Sequence, residues 1–509
     1  MNNLKKQSRN QLQMICLDSL VEKSSMARVI DSFVDASDLK KLGFIHYSNN
    51  QGRPSYPTDV MVKLYLYGYM NGIRTTRKLE KACNVNLELK WLLCGLTPKY
   101  RTIGTFRIQN LEAFNNLFLR TIDIALKHKL IEGKTLAFDS FPIRASNSRK
   151  NNYNKKKLGF LSEHAQGQLD NYIDQLESNE EKDEENITKL NKKIKHYEDK
   201  LSEYQKIDKQ LKDENITQIS STDPDARIMS KNDRTNIIGY RTQCGADAKH
   251  KIICSAEVSN RNDNQSTTSI ALQAKENIDA TKFDALYDKG YHSGPRMAEL
   301  VDNKITPYIS PPKNKNQDIY SHSDFKYNKR YDSYTCPAGQ TLKTTGKWMK
   351  RGDKLLKNYQ NNAACRNCPL REKCTTRKAG RLLARYEHYE YVESNRKRIA
   401  KKPNYYRLRS RTIEHIFGTI KRHWGLDHTV LRTKEKVRVE FDIAFTSYNL
   451  MRIFKVLDQK GLKFLIQSLS HYTSREIREI KMKAEFLFKT ICIKLCENKI
   501  LNSRGCCPV

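Results

Sequence analysis

The hydrophobic pattern of the chain changes its period at Thr135, and this change constrains the possible folds more than any other feature. Apolar residues recur at helical spacing before Thr135, whereas short apolar runs bounded by turn residues predict strands after it. The predicted elements are, in order, strands at 136–141, 237–243 and 251–258, a helix at 267–278, a strand at 283–287, a helix at 295–301 and a strand at 305–309. This order predicts an α/β fold, with helices packed on a mixed sheet. A hairpin through Gly245 to Lys249 is expected to join the second and third strands.

The residues before this change, 1–130, are predicted to be helical. The apolar run from Val60 to Met70 predicts a buried helix despite Lys63, and Pro57 suits its first turn. A second amphipathic pattern runs from Leu79 to Leu92. Basic residues lie at its start: Arg74, Arg77, Lys78 and Lys81. Two short helices with basic residues beside the turn fit a helix-turn-helix that binds DNA, and they fit equally a helical bundle with a solvated basic face.

Two insertions interrupt the strand pattern. In the first, residues 158–217, apolar residues from Ile187 to Leu211 recur at spacings of three and four, with Asp208 in the seam. This heptad pattern predicts an antiparallel helical hairpin. It is either an arm that faces DNA or a second copy of the chain, or a solvated structural projection, which its mixed charges favour.

The second insertion, residues 313–402, is rich in cysteine. Its four cysteines are Cys336, Cys365, Cys368 and Cys374. The Cys-Arg-Asn-Cys spacing is typical of a metal knuckle, so the four thiolates are predicted to bind one structural Zn²⁺. The alternative is a basic loop with four unligated thiols. The cysteines near the C-terminus, Cys492, Cys496, Cys506 and Cys507, lack such paired spacing.

Three acidic residues lie in settings that a metal-dependent nuclease needs. Asp139 is on the first predicted strand, Asp288 follows the fourth, and Glu414 is on a helix. If the first and fourth strands are neighbours, the two aspartates meet, and the three carboxylates can hold one or two Mg²⁺ or Mn²⁺ ions. Between Arg396 and Arg438 there are fourteen Lys and Arg residues against three acids. A structural salt bridge is the alternative explanation for Glu414.

The helix that carries Glu414 has a predicted orientation. Phe417 and Ile420 are expected to pack it on the sheet. Lys421 follows Glu414 by seven residues, about two helical turns, so the two side chains are expected to share a face. Lys421 would then reach a phosphate while Glu414 faces the metal.

The formal net charge of +35 points to a polyanionic partner, with nucleic acid as the first candidate. A merely lysine-rich protein is the alternative. No apolar run approaches the ~18 residues of a membrane span, and residues 1–13 lack the apolar core of a secretory signal. A cytoplasmic location is therefore expected, with the 13 cysteines mostly reduced or bound to metal.

Several motifs together resemble the transposases of bacterial insertion sequences that use an aspartate, aspartate and glutamate triad. The resemblance covers roughly residues 18–454, and is strongest to the group with a cysteine cluster between the second aspartate and the glutamate. The motifs are Gly52-Arg-Pro-Ser55, Arg77-Lys-Leu-Glu80 with Trp91-Leu92, Thr102-Ile-Gly-Thr-Phe-Arg107, Asp139-Ser140 leading to Ala145, Asp223-Pro-Asp-Ala-Arg227, Gly239-Tyr-Arg-Thr-Gln243, Asp288-Lys-Gly-Tyr291, the cysteine cluster, Glu414-His-Ile-Phe-Gly418 and Tyr448-Asn-Leu450.

The resemblance implies a ribonuclease-H-like catalytic core with Asp139, Asp288 and Glu414 as metal ligands. It also implies an N-terminal domain that binds the terminal inverted repeats of the element, in a protein that acts on double-stranded DNA as a homodimer, associated with the nucleoid. A tyrosine-arginine-glutamate-lysine signature of related enzymes is approximated by Tyr406, Arg409, Glu414 and Lys421. One extra residue precedes the glutamate, so Arg411 is an alternative to Arg409.

Together these patterns predict the domain organisation and the residues that contact DNA. The predicted domains are an N-terminal DNA-binding domain (1–130), a catalytic core in three parts (131–157, 218–312 and 403–462), the two insertions and a helical tail (463–509). The predicted DNA contacts are Arg74, Arg77, Lys78, Arg409, Arg411 and Lys421. The alternative in another functional class is an inactive, transposase-derived DNA-binding protein.

Overall fold

A computed structural model describes residues 16–46, 54–178, 184–230, 236–261, 263–312, 319–351 and 354–457. Predictions about residues 1–13 and about the tail from 463, with its four cysteines, lie outside the described residues, as does part of the Gly52–Ser55 motif. The described residues form two compact units: an N-terminal unit, which comprises those up to Thr121 together with those from Asp442, and a second unit within Ile122–Phe441. In the described residues, no helix has the length and apolarity needed to cross a membrane.

The helices are α1 (Met26–Asp35), α2 (Thr58–Met70), α3 (Thr76–Val85), α4 (Leu87–Leu92), α5 (Tyr100–Gln109), α6 (Leu111–Lys127), α7 (Lys155–Glu177), α8 (Glu184–Asp213), α9 (Thr267–Asn277), α10 (Gly294–Asp302), α11 (Asn362–Arg366), α12 (Tyr389–Lys401), α13 (Pro403–Tyr406), α14 (Leu408–Phe417) and α15 (434–457). The strands are β1 (Thr135–Arg144), β2 (Asn152–Asn154), β3 (Gln218–Ser220), β4 (Arg227–Ser230), β5 (Asn236–Asp247), β6 (Ile253–Ser259), β7 (Phe283–Tyr287), β8 (Ile305–Ile309), β9 (Lys326–Asn328), β10 (Ser333–Thr335), β11 (Thr341–Thr344), β12 (Met349–Arg351), β13 (Lys354–Gln360) and β14 (Leu382–Tyr386).

Helix α2 lies at the centre of the N-terminal unit. It is apolar on every side, so it is buried along almost its whole length, as predicted. Its one cation, Lys63, is also buried, and its ammonium lies 2.7 Å from Asp31 and 2.6 Å from Asp35 on α1. Burial alone would lower the pKa of Lys63, but its hydrogen bonds to these two carboxylates outweigh that effect and raise it. The ion pairs therefore fix α1 against α2.

The first residues of α15 beyond Phe441 belong to the N-terminal unit, although the sequence pattern assigns 403–462 to the catalytic core. The reason is local packing. Phe445 contacts Phe118, with ring centroids 6.2 Å apart, and the buried Asn449 amide donates a hydrogen bond of 2.9 Å to Thr121. Asn449 belongs to the Tyr-Asn-Leu motif, so this motif has a packing role in the unit.

The central sheet of the second unit has β1 in its interior. Strand β5 pairs antiparallel with β1 on one side and with β4 and β6 on the other. On the far side of β1, β7 and β8 follow in parallel. Helices α9 and α10 connect β6 to β7 and β7 to β8. The first and fourth predicted strands, β1 and β7, are therefore neighbours, as predicted.

The predicted hairpin turn was placed too early in the sequence. Strand β5 continues to Asp247, and its pairing with β6 shifts register between Gly245 and Ala246. Gly245 lies within the strand, at a position where a side chain would collide with its neighbours. A Cβ there would lie 2.3 Å from the Phe138 ring and 2.6 Å from Ser255 Oγ. The glycine thus permits the large Phe138 ring on β1, and it does not mark a turn.

Strands β2 and β3 pair at the base of a long helical hairpin. Near the base, Tyr153, Leu158, Leu211 and Ile219 form a small buried cluster. Further along, Tyr172 of α7 contacts Tyr197 of α8, with ring centroids 5.8 Å apart, so the helices run antiparallel. Of the α8 residues, only Leu211 is buried, because one facing helix covers only part of the heptad seam.

A second sheet forms between β8 and α12. Its strand order is β12-β13-β11-β10-β9, with β14 also paired to β13. Its core is small and consists of Phe325, Tyr334, Leu342, Tyr359 and Leu383. The sequence pattern did not predict this sheet, since several of its strands are only three or four residues long and rich in lysine and other polar residues.

Helix α12 protects the edge of the central sheet. The side-chain amide of Asn395 is fully buried, accepts a 2.8 Å hydrogen bond from Ile309 N and donates one of 2.7 Å to Ile309 O. These two bonds satisfy backbone groups of β8 that would otherwise be unpaired at the end of the sheet. Helix α12 is thereby held against the sheet, and the short α13 and then α14 follow it.

Candidate active site

Asp139 and Asp288 lie side by side at the centre of the sheet. In the parallel pairing of β1 with β7, Phe138 is opposite Tyr287, so the residues that follow them are the two aspartates. The aromatic rings of Phe138 and Tyr287 stack at 4.7 Å and are completely buried. Because side chains alternate along a strand, burial of Phe138 directs Asp139 to the opposite face. The predicted convergence of the two aspartates is therefore present.

The proton affinity of Asp139 is unusual for a carboxyl group. Burial raises its pKa to about 6, and the carboxylates of Asp288 and Asp263 add to the rise, although Arg409 and the Ser140 amide oppose it. Arg409 lies 2.5 Å from Asp139 Oδ2, and the Ser140 amide donates a 2.8 Å hydrogen bond to Oδ1. Partly buried carboxylates of like charge that lie close together are typical of sites that hold a cation or a proton.

Asp263 is a third carboxylate at this site that the sequence pattern did not indicate. Its Oδ1 accepts a hydrogen bond of 2.6 Å from Ser140, and its Oδ2 lies 3.1 Å from Arg241. It also lies beside the turn after Asp288, since a Cβ on Gly290 would be 3.1 Å from its Oδ2. Asp263 precedes α9 in a polar loop, where aspartates commonly serve only as caps, so the sequence carried no signal for it.

Glu414 is not in contact with the two aspartates. Helix α14 does pack on β1 as predicted: Phe417 meets Phe141 at 4.6 Å, and Ile413, Ile416 and Ile420 are buried. Glu414 itself is exposed and makes no side-chain hydrogen bond or ion pair with a described residue. Over the described ranges, no three His, Cys, Asp or Glu side chains are arranged to hold one metal ion. The two aspartates fit a divalent cation as oxygen ligands; the glutamate, as placed, does not complete the set.

The predicted alignment of Glu414 with Lys421 is wrong. Residues Gly418–His423 form a π-helix directly after α14. A π-helix has more residues per turn than an α-helix, so a spacing of seven no longer returns to the same face. Lys421 instead lies over the Phe141 ring, with its Nζ 5.6 Å from the centroid.

Two consecutive tyrosines fix α13 to the strands that carry the aspartates. Tyr406 donates a 2.8 Å hydrogen bond to the carbonyl of Tyr287, the residue before Asp288. The Tyr405 hydroxyl donates a hydrogen bond of 2.7 Å to Asp284 on β7 and also lies 2.7 Å from the Thr135 hydroxyl on β1. These contacts position α13, and with it the start of α14 and Arg409, over the ends of the strands.

Two family models match the sequence. Residues 335–454 match a model described as a transposase DDE domain, and residues 15–109 match a transposase domain model, DUF772. Together the two matches support an insertion-sequence DDE transposase. Glu414 lies inside the first matched range, whereas Asp139 and Asp288 lie between the two.

Among solved structures, the transposase is similar to the piggyBac transposase in its synaptic complex with hairpin DNA. The identity is 10% over 89% of this chain and 79% of that chain, with a TM-score of 0.28. A similarity of that size carries no argument about fold or activity. No curated protein matches the sequence significantly.

The structure corrects two of the predicted DNA contacts of the transposase. Arg74 is only 5% exposed, so its guanidinium is not available at the surface. Arg409 is engaged with Asp139 and serves as the partner of a site carboxylate. Arg77, Lys78 and Arg411 are exposed, and Lys421 is half-buried. Arg77 also lies over the Tyr100 ring, 5.3 Å from its centroid.

The four cysteines of the second insertion come together at one end of the second sheet. Cys336 lies in the turn between β10 and β11, Cys365 is on α11, and Cys368 and Cys374 follow in the next loop. All four line one cavity, and all are free thiols. They lie in the transposase well apart in sequence from the aspartates, and they form a separate cluster.

Proposed function

We propose that this transposase binds the terminal inverted repeats of its insertion sequence, cleaves DNA there with the help of a divalent metal, and joins the freed end to target DNA. The observation that carries the proposal is the pair formed by Asp139 and Asp288 on adjoining parallel strands. Paired carboxylates at adjacent strand positions are suited to hold the ions that phosphodiester chemistry requires.

The sheet order supports a ribonuclease-H-like core. Counted along the chain, the five core strands β1, β5, β6, β7 and β8 have the spatial order 3-2-1-4-5, with the second antiparallel to the first and the last two parallel to it. This mixed sheet, with α9 and α10 as crossovers, is the arrangement that the family resemblance implies. Asp139 lies on its first strand and Asp288 directly follows its fourth.

Asp139 and Asp288 would hold Mg²⁺ or Mn²⁺, with Glu414 as the proposed third ligand. When bound, such ions activate an attacking water or 3′-hydroxyl and stabilise the leaving oxygen. Glu414 is on the helix that packs on β1, but its exposed carboxylate has to turn toward the aspartates before it can act with them. The π-helix that follows α14 is the proposed point of adjustment, because such segments are frequent at functional sites.

The remaining polar residues of the site would position the carboxylates. Arg409 neutralises and orients Asp139, while Arg241 and Ser140 hold Asp263 beside it. Arg411 and Lys421 are the candidates for contact with the DNA backbone at this site. Such contacts fix the position of the substrate without reading its sequence.

Sequence recognition would belong to the N-terminal unit. Arg77 and Lys78 are exposed at the start of α3, where the Thr75 side chain caps the helix. A helix N-terminus with adjacent cations favours a phosphate group. The overall charge of +35 supports a DNA partner for the chain as a whole.

The proposal is tested by cleavage of a duplex that carries a terminal repeat, with and without Mg²⁺. Asp139→Asn and Asp288→Asn are expected to reduce cleavage by roughly 10³-fold or more, since each removes several kcal/mol of metal-dependent stabilisation. Both variants should bind the repeat nearly as well as the wild type. Asp302→Asn, a change at an exposed position of α10, is the matched control and should remain active. If the wild type binds the repeat but never cleaves it in any divalent metal, the chain is an inactive, transposase-derived DNA-binding protein.

A further inference from the structure

The cysteine cluster of the second insertion brings four thiols to one cavity. The thiol of Cys374 lies close enough to the other three thiols to interact with them electrostatically. Cys336 and Cys374 also pack against the core of the second sheet. The four residues come from two segments separated by 28 residues, between Cys336 and Cys365. Packing of β10, β11 and α11 is thus needed to bring them together.

The backbone around the thiols is shaped to leave room for them. Gly380 has a φ of +100°, and a Cβ there would lie 2.6 Å from Cys365 Cβ and 3.2 Å from its sulfur. Only glycine allows both this conformation and this approach. On the other side of the cluster, the amide of Gln340 donates a hydrogen bond of 3.3 Å to Cys336 Sγ. Hydrogen bonds to sulfur stabilise the thiolate form, which is the form that binds metal.

Two arginines supply positive charge and hold the loop that carries the cysteines. Arg381 donates a hydrogen bond of 2.7 Å to the carbonyl of Cys374, and Arg371 donates one of 3.2 Å to the carbonyl of Cys365. A tetrathiolate zinc complex carries two net negative charges, so these neighbouring cations would stabilise it.

The second sheet and the loop that carries the cysteines form a small module, which a bound metal would stabilise. Its core contains five buried residues, and several of its strands are three or four residues long. So small a core supplies little stability, and modules of this size commonly rely on a metal or on disulfides. A metal bound by the four thiols would join the β10–β11 turn to α11 and to the loop after it.

We propose that Cys336, Cys365, Cys368 and Cys374 bind one Zn²⁺ ion as a closed, structural tetrathiolate site. Binding converts four thiols and one Zn²⁺ into a zinc tetrathiolate with release of four protons, and no oxidant or reductant is needed. The thiols have to turn toward a common point, since their present orientations form no ligand set. With four protein ligands the ion has no open position for substrate, so the site stabilises the module and does not take part in DNA chemistry.

The test uses the full chain, purified under reducing conditions without added chelator. Elemental analysis should find about one zinc per chain, and Co²⁺ substitution should give the absorption bands of a tetrahedral thiolate complex. A mercurial that displaces thiolate ligands should release the zinc. The Cys365→Ser and Cys368→Ser variants should lose zinc, whereas Cys16→Ser and Cys94→Ser, at exposed free cysteines, should retain it.

A pair of glycine variants keeps the proposal testable if the cysteine variants fail to fold. Gly380→Ala places a methyl group against Cys365 and should weaken zinc retention against a competing chelator. Gly346→Ala also changes a glycine with positive φ (+80°) in the same module, but a Cβ there has no neighbour within 4 Å. It should hold zinc like the wild type.

Two results would overturn the proposal. One is a zinc-free wild-type chain in which the four cysteines react with a thiol reagent as fast as Cys16. The other is a wild-type chain in which they are paired as disulfides under reducing conditions. Because zinc content is measured without DNA and without Mg²⁺, loss of this proposal would leave the proposed transposase activity untouched, and the reverse also holds.

Discussion

At the scale of single residues, Glu414 and Asp263 are the two carboxylates that can act together with Asp139 and Asp288. Glu414 is the member implied by the family, whereas Asp263 is an electrostatic neighbour of Asp139 and is held by Ser140 and Arg241. The two make different predictions. A metal ligand contributes several kcal/mol to the transition state, whereas a group that only orients ligands typically contributes tenfold to a hundredfold.

We expect Glu414→Gln to abolish cleavage to the same extent as Asp139→Asn, and Asp263→Asn to lower the single-turnover rate about tenfold to a hundredfold. Asp263→Asn should also lower the melting temperature, because Arg241 loses its ion-pair partner. Glu276→Gln, at an exposed position of α9, serves as the control. Full activity of Glu414→Gln together with complete loss in Asp263→Asn would assign the third ligand to Asp263.

The raised pKa of Asp139 makes a prediction about stability and pH. The folded-state pKa of about 6 exceeds the ordinary value of 3.8, so the folded protein binds this proton more tightly than the unfolded chain. The resulting stabilisation is full below about pH 4 and is lost as the pH rises through about 6, by an amount on the order of 2 kcal/mol.

This loss can be isolated with a variant that cannot ionise. The melting temperature of the wild type minus that of Asp139→Asn, measured without divalent metal, should therefore fall between pH 4 and pH 7. The corresponding difference for Asp302→Asn should stay constant over that range. A flat difference for Asp139→Asn would mean that this carboxyl titrates at its ordinary pKa.

At the scale of elements, the sequence was informative where apolar runs are long. The strands Phe283–Tyr287 and Ile305–Ile309 were predicted to the residue, because alternating apolar runs end at Asp288 and at Pro311. The parallel neighbours β1 and β7 followed from the order of the elements. The second sheet was missed, since strands such as Met349–Arg351 are exposed at every residue and have no apolar pattern to detect.

Other failures arose where tertiary contacts override the local pattern. The π-helix after α14 broke the assumed 3.6-residue period and with it the predicted alignment of Glu414 and Lys421. Arg74 belongs to a basic cluster in the sequence but is buried in the fold. Asp263 becomes important only because β5 brings Arg241, and β1 brings Ser140, to its side. No spacing in the sequence indicates such proximity between distant residues.

Because Arg74 is buried, its contribution to stability can be measured apart from the contribution of Arg77 and Lys78 to DNA binding. Replacing the exposed Arg77 and Lys78 with alanine should weaken binding to a terminal-repeat duplex and reduce the salt slope by about two units, one for each phosphate that is no longer neutralised. Arg74→Ala should leave the slope unchanged and lower the thermal stability instead, because it truncates a large side chain that is buried in the fold. Lys192 and Lys195, exposed on α8, provide a double-alanine control of equal charge.

The salt slope distinguishes the possible outcomes. If the Arg77 and Lys78 double variant behaves like the Lys192 and Lys195 control, the basic residues at α3 are a solvated face, and repeat recognition lies elsewhere in the chain. If all three variants reduce the slope equally, binding reflects only the overall positive charge, with no defined contact surface.

At the scale of the whole molecule, the proposed reaction needs two active sites, since both ends of an element have to be cut. The described part of each chain supplies the pair of Asp139 and Asp288, so the simplest active species is a dimer assembled on DNA. A mixture of active and inactive chains tests this without any knowledge of the dimer interface. With wild type and Asp139→Asn mixed in equal amounts, random pairing places two active chains together in about one quarter of dimers. The yield of DNA cut at both ends should then fall to about a quarter of that from wild type alone, on substrates that carry two repeats.

Monomers that cut each end independently would only dilute the activity, and would reach the full yield at longer times. Mixing wild type with Asp302→Asn should cause no loss at any time, which separates subunit mixing from a simple effect of concentration.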